Sequence, residues 1–128
     1  DLKMRHLKAP GRGEYTYDYR NDILLFKVRD RNYAISVEFD NFIVDIDEEG
    51  FITGLRIFDA SQIFKLSKVA LNNLKDFEFH AKAENGVISV QLRFDCMVRN
   101  AIIKQGHDFV REAEDSHIKN SEVLCTVA

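Results

Sequence analysis

Phe77-Glu78-Phe79-His80-Ala81-Lys82-Ala83-Glu84-Asn85-Gly86-Val87-Ile88-Ser89-Val90-Gln91-Leu92-Arg93-Phe94 is the stretch whose reading decides the fold. Two alternating runs flank Asn85-Gly86, the pair that a two-residue type I′ turn favours because both positions need positive φ. Closing that turn pairs Glu84 with Val87 and thereby fixes every later pair. Ala83 faces Ile88, Ala81 faces Val90, Phe79 faces Leu92 and Phe77 faces Phe94, so apolar residues meet apolar residues throughout. On the other face Glu78 falls opposite Arg93, an opposite-charge pair worth about 0.2–1 kcal/mol. A slip of one residue would turn the apolar set toward solvent. The second strand keeps its alternation through Cys96 and Val98 and reads on toward Ile103.

Working outward toward the N-terminus, the period changes from two to that of a helix. Asp59-Ala60-Ser61-Gln62 reads as an N-cap with a capping-box glutamine. Ile63, Leu66, Ala70 and Leu74 follow at helical spacing, and Ser67 is placed to restart a second helix. One kinked helix or two short helices fit this pattern. Upstream, period two prevails. Leu24, Phe26 and Val28 form one phase, with Ile23 and Leu25 in the opposite one. Tyr33, Ile35, Val37 and Phe39 alternate with polar residues and read as a half-buried strand, and Phe42, Val44 and Ile46 repeat the pattern. Turns of a few residues force such neighbours to run antiparallel. Residues 14–58 therefore read as an antiparallel meander. Toward the C-terminus, Asp108 to Asp115 reads as a helical turn or a polar loop, and Val123, Cys125 and Val127 as a final short strand. The expected fold class is α+β: mainly antiparallel sheet, with an N-terminal meander and the long Asn-Gly hairpin, and one kinked or two short helices packed on it.

The chain has 128 residues and a formal net charge of −3, unevenly distributed. Residues 1–13 sum to +3 and the rest to −6, and the single proline, Pro10, lies in the basic segment. Residues 1–13 therefore read as a basic flexible tail, without the apolar run of a secretory signal, and residues 14–128 as a single domain. A domain of this size buries roughly two-thirds of its unfolded surface and needs no disulfide or metal to hold a core. No apolar run approaches the roughly 20 residues of a membrane-spanning helix. The acidic body argues against nucleic-acid binding except through the tail. These features point to a cytoplasmic protein.

Chemistry-bearing groups are sparse. Asp45, Asp47, Glu48 and Glu49 lead into Gly50, an oxygen-rich turn of the kind hard cations use. An EF-hand loop starting at Asp45 would need Glu at its twelfth position, where Arg56 stands. The turn therefore reads as a solvated hairpin tip in which Gly50 supplies positive φ. His107, Asp108, Glu112, Asp115 and His117 form the densest group able to serve acid–base or metal chemistry, yet no spacing matches H-E-x-x-H or a zinc finger. His6 lies in the tail, and His80 opposite Gln91 on the polar face of the hairpin. Cys96 and Cys125 fall in apolar phases and read as buried structural thiols. Ser61 and Ser67 suit capping better than nucleophilic roles. Gly11-Arg12-Gly13 is no dinucleotide fingerprint, and the ten phenylalanines occupy core phases (Phe26, Phe39, Phe42, Phe77, Phe79 and Phe94 among them) without interleaved basic residues, unlike a base-stacking platform. No catalytic residue, metal ligand or cofactor is assigned.

Tyr17-Asp18-Tyr19-Arg20-Asn21-Asp22-Ile23-Leu24, together with the acidic turn running through Gly54 to Asp59-Ala60-Ser61, resembles the small prokaryotic family known as domain of unknown function 2283. The resemblance covers residues 14–61 and implies a small β-meander followed by a helix. It supplies no activity; an antitoxin-like role, binding a cognate partner or nucleic acid, is what it adds as an alternative. From the residues themselves the leading expectation is a non-enzymatic association module forming a homo-oligomer. The outward Ile23 and Leu25 motivate it, because an apolar outer face suggests a partner surface. A metal-dependent enzyme using the 107–117 segment is the third reading.

Overall fold

The computed structural model describes residues 3–113 and 118–127. The hairpin forms as its turn dictates. Strands β6 (Lys75–Glu84) and β7 (Val87–Val98) pair Glu84 with Val87, Ala81 with Val90 and Phe79 with Leu92. Asn85 and Gly86 take φ values of 52° and 80°. The register shifts between Lys75 and Glu78, but the Phe77 and Phe94 rings still stack at 5.6 Å.

Glu78 falls opposite Arg93 as expected, but Arg93 makes its ion pair elsewhere. Arg93 Nη1 lies 2.9 Å from Asp108 Oδ1 on strand β8 (Ala101–Glu112). Gly106, directly across from Arg93, makes room for this: a Cβ there would sit 2.7 Å from Arg93 Cδ. Strand β7 stops at Val98 instead of running to Ile103, because Arg99 and Asn100 both adopt positive φ (51° and 63°) and build a second two-residue hairpin. The segment read as a helical turn or loop from Asp108 is thus largely the far end of β8. Arginine is uncommon at such a turn position, so the sequence signal was faint.

The remaining strands are β1 (Arg5–Asp18), β2 (Ile23–Val28), β3 (Tyr33–Glu38), β4 (Phe42–Asp47), β5 (Ile52–Phe58) and β9 (Ser121–Val127). Among the described residues the sheet has nine strands, in the order β3-β4-β5-β2-β1-β9-β6-β7-β8. Every pairing is antiparallel except β1 with β9. Residues 14–58 are therefore not a simple meander: β2 pairs with β1 and β5, and β3 is carried out to the edge. Helices α1 (Ala60–Phe64) and α2 (Lys68–Leu71) are two short ones rather than one kinked one. With so little helix the fold is mostly β, and α+β describes it only coarsely.

The basic segment takes part in the sheet. Residues 5–13 are strand, pairing with β9 from Arg5 to Ala9 and, after a register shift, again at Gly13, where β1 also begins its pairing with β2. Pro10 and Gly11 sit in the irregularity between Ala9 and Gly13, where a residue without an N–H and one with φ 72° interrupt the ladder. No helix among the described residues is long and apolar enough to cross a membrane.

The sheet curls so that its ends meet across one core. Phe42 on β4 lies 4.6 Å from Phe109 on β8, and Phe64 of α1 packs edge-on to Phe94 of β7. Phe26, Phe42, Phe77, Phe79 and Phe94 are buried, with Phe39 packed partly buried against Phe42. The edge strand departs from expectation. Tyr33 and Ile35, expected inside, are 64% and 52% exposed. A bulge sets Tyr33 across from Asp47 but Ile35 across from Ile46, so the two point to opposite faces, and no further strand covers them.

Candidate functional site

The residues that carry the family resemblance converge. Asp22, in the turn between β1 and β2, accepts from Tyr17 Oη at 2.6 Å and from the Ser61 amide at 2.9 Å through Oδ1, and from Ser61 Oγ at 2.6 Å through Oδ2. Its carbonyl also accepts from the Ala60 amide. Asp22 therefore caps α1 from 39 residues away, and the expected Asp59 cap does not form. Asp59 adopts φ 53°, not the extended conformation an N-cap needs. Burial pushes the Asp22 carboxyl upward, but the bonds from Ser61 and Tyr17 outweigh it and hold it below the ordinary range. Burial and the Asp22 charge push the Tyr17 phenol well above its usual value. Ser61 is thus a donor locked to the Asp22 carboxylate. Ser67 caps α2 as expected, accepting from the Ala70 amide.

The acidic turn is closed by arginines. Asp47 Oδ1 accepts from the Glu49 and Phe51 amides, and its Oδ2 lies 2.8 Å from Arg31 Nη1. Arg5 donates to the Glu49 and Gly50 carbonyls and lies over the Phe51 ring. Asp45 accepts from Ser36 and is 2.7 Å from Arg56. Guanidinium groups stand where a cation would have been needed. No group of three His, Cys, Asp or Glu among the described residues is arranged to hold a metal ion.

Among the described residues of the 107–117 segment, His107 does not share a face with Asp108 and Glu112. His107 turns inward onto Phe64 and Phe109, while Asp108 and Glu112 lie in the opposite phase of β8. Asp115 and His117 fall outside the described residues. A different histidine pair comes together on the outer face: Glu122 receives His80 Nε2 at 2.8 Å and His6 Nδ1 at 3.1 Å, one on each carboxylate oxygen. The His80 hydrogen bond holds Glu122 below the ordinary carboxylate range. This cluster depends on the parallel β1–β9 pairing, which no local pattern announces.

Cys96 and Cys125 are free and buried, as expected. Burial raises both thiols, Cys125 to about 11. Both are therefore expected to resist a thiol reagent at pH 8 in the native protein and to react once the chain is unfolded in denaturant. Titration with a chromogenic disulfide checks this, and a fast-reacting native thiol would contradict it.

What the fold leaves open is its edge. Beside the exposed β3, a shallow recess on the outer face is lined by Leu25, Tyr33, Gly54 and Arg56. Ile23 and Leu25 are half-buried there.

A mostly antiparallel curled sheet with two short helices is thus the class of protein the structure defines. The chain belongs to the family described as protein of unknown function (DUF2283), whose sequence profile matches residues 14–61. A Methanosarcina mazei protein described as a putative hypoxanthine phosphoribosyltransferase is 33% identical over 95 residues, covering 74% of this chain and 77% of its own. An uncharacterized protein of Methanocaldococcus jannaschii is 30% identical over 110 residues, covering 84% of this chain and 93% of its own. No solved structure matches the chain.

Proposed function

We propose that this protein works by protein association, as a homo-oligomer, and not by chemistry in a pocket. The observation that carries the reading is the open edge at β3, where Tyr33 and Ile35 are exposed beside unpaired backbone. Unpaired strand edges are templates for another chain. A cytoplasmic setting belongs to the same proposal, supported by two buried, unpaired cysteines that suit a reducing compartment. Nucleic acid is a poor fit as partner, since Arg5 is bound to the acidic turn and Arg12 to Asp30. The phosphoribosyl transfer named for the Methanosarcina relative is a poor fit as well. A phosphate-bearing substrate seeks free amides at a helix N-terminus, and here Asp22 and Ser67 occupy those amides.

Light scattering coupled to size exclusion, over a wide concentration range, is expected to return a multiple of the chain mass. A strict monomer throughout would refute homo-oligomerisation. In the antitoxin-like alternative the isolated chain is monomeric and associates only with a different protein, so the same measurement separates the two.

A further inference from the structure

We infer that β3 pairs antiparallel with β3 of a second copy, about a two-fold axis through Ser36. This rests on the association reading and names its interface. The strand Tyr33-Ala34-Ile35-Ser36-Val37-Glu38 is self-complementary in that register. Ile35 of each copy falls opposite Val37 of the other, Ser36 opposite Ser36, and Ala34 opposite Glu38. The single charge of the strand therefore never meets its own like, which would be destabilising.

The faces also match. Ile35 and Val37 sit across from Ile46 and Val44, both in the core. Pairing about Ser36 continues that apolar face from one copy into the next. A register shifted by one residue would set Ile35 against Ser36 and mix the faces. Centring on Ile35 instead would place Tyr33, which the bulge sends to the opposite face, across from Val37. Centring on Val37 would pair Ile35 with Phe39, beyond the end of the strand. The axis at Ser36 keeps Ile35, Ser36 and Val37, which follow the bulge, paired with one another and on matching faces.

The other edge differs in kind. Strand β8 carries Lys104, Asp108, Arg111 and Glu112, the charges that protect an edge from pairing. Strand β3 has neither lysine nor proline. An isologous β3–β3 contact also closes on itself, whereas β3 against β8 would propagate into an open chain.

The test uses the full-length protein in three forms. Ser36→Cys places one thiol on the axis, where facing Cα atoms lie about 4.5–5.5 Å apart, within disulfide range. Under a mild oxidant it is expected to give a covalent dimer in high yield. Glu38→Cys puts the two thiols roughly 13 Å apart along the strands and is expected not to cross-link. Ile35→Lys, at a half-exposed position that the core does not need, is expected to weaken dimerisation about tenfold or more while leaving the far-UV spectrum unchanged. A wild-type monomer would overturn both this inference and the association reading. A dimer indifferent to Ile35→Lys, with no cross-link at Ser36, would leave association standing and overturn the β3 interface. Open-ended growth with concentration would point to β3 on β8 and likewise overturn it.

Discussion

Asp22→Ala is expected to lower unfolding stability by about 2–4 kcal/mol, because one side chain satisfies a helix cap and two half-buried hydroxyls. The carboxylate receives Tyr17 Oη, the Ser61 amide and Ser61 Oγ at 2.6–2.9 Å, and Asp22 itself is only 8% exposed. Removing it leaves three donors short of an acceptor in a place water reaches poorly. Asp22→Asn keeps the size and one acceptor oxygen but loses the second, and about half the loss is expected. The sign of the pH dependence follows from the same bonds. Asp22 holds its carboxyl lower when folded than when unfolded. The stability it supplies is therefore complete above the unfolded value of about 4 and disappears as pH falls through the folded one. Denaturant midpoints measured from neutral pH down to about 3 should fall less steeply for Asp22→Asn than for the native protein. Parallel acid profiles would remove Asp22 from this role.

That cap also shows where sequence reasoning stops. The Asn85-Gly86 hairpin was legible residue by residue, because turn chemistry and alternation act within a few positions. The cap of α1 was not, because Asp59 stands where a cap belongs while the carboxylate that serves comes from Asp22, brought by the β1–β2 turn. Residues 5–13 show the same limit from the other side. Leu7 and Ala9 alternate with His6 and Lys8, yet Pro10 and Gly11 make the segment resemble a linker, and only its parallel pairing with β9 reveals a strand. The His6–Glu122–His80 cluster follows from that pairing and was equally hidden. For β3 the alternation is legible in the sequence and its burial is not. Period two says that a strand has an apolar phase, but whether another element covers it depends on the strand order, which places β3 at the end of the sheet.

Phe26→Ala is expected to cost about 3–5 kcal/mol, and the reason is its position rather than its size alone. Its ring stacks on Phe79 at 4.3 Å and on Phe77 at 5.4 Å, joining β2 to the hairpin strand β6 across the curled sheet. Its edge also lies against Gly13, where β1 pairs with β9 on one side and β2 on the other. A Cβ at Gly13 would come within 2.8 Å of Phe26 Cε1 and 2.9 Å of Cys125 Sγ. Gly13→Ala is therefore expected to cost about 1–3 kcal/mol in the native background, since neither a packed ring nor a buried sulfur can retreat freely. In the Phe26→Ala background the same methyl enters the space the ring has left, and only the sulfur opposes it. The two substitutions should then be less than additive, with a coupling of about 1 kcal/mol or more in a double-mutant cycle read from urea denaturation. Strict additivity, or a neutral Gly13→Ala, would mean that the strand crossing at Gly13 tolerates a side chain. The glycine would then owe its place to something other than the approach of Phe26.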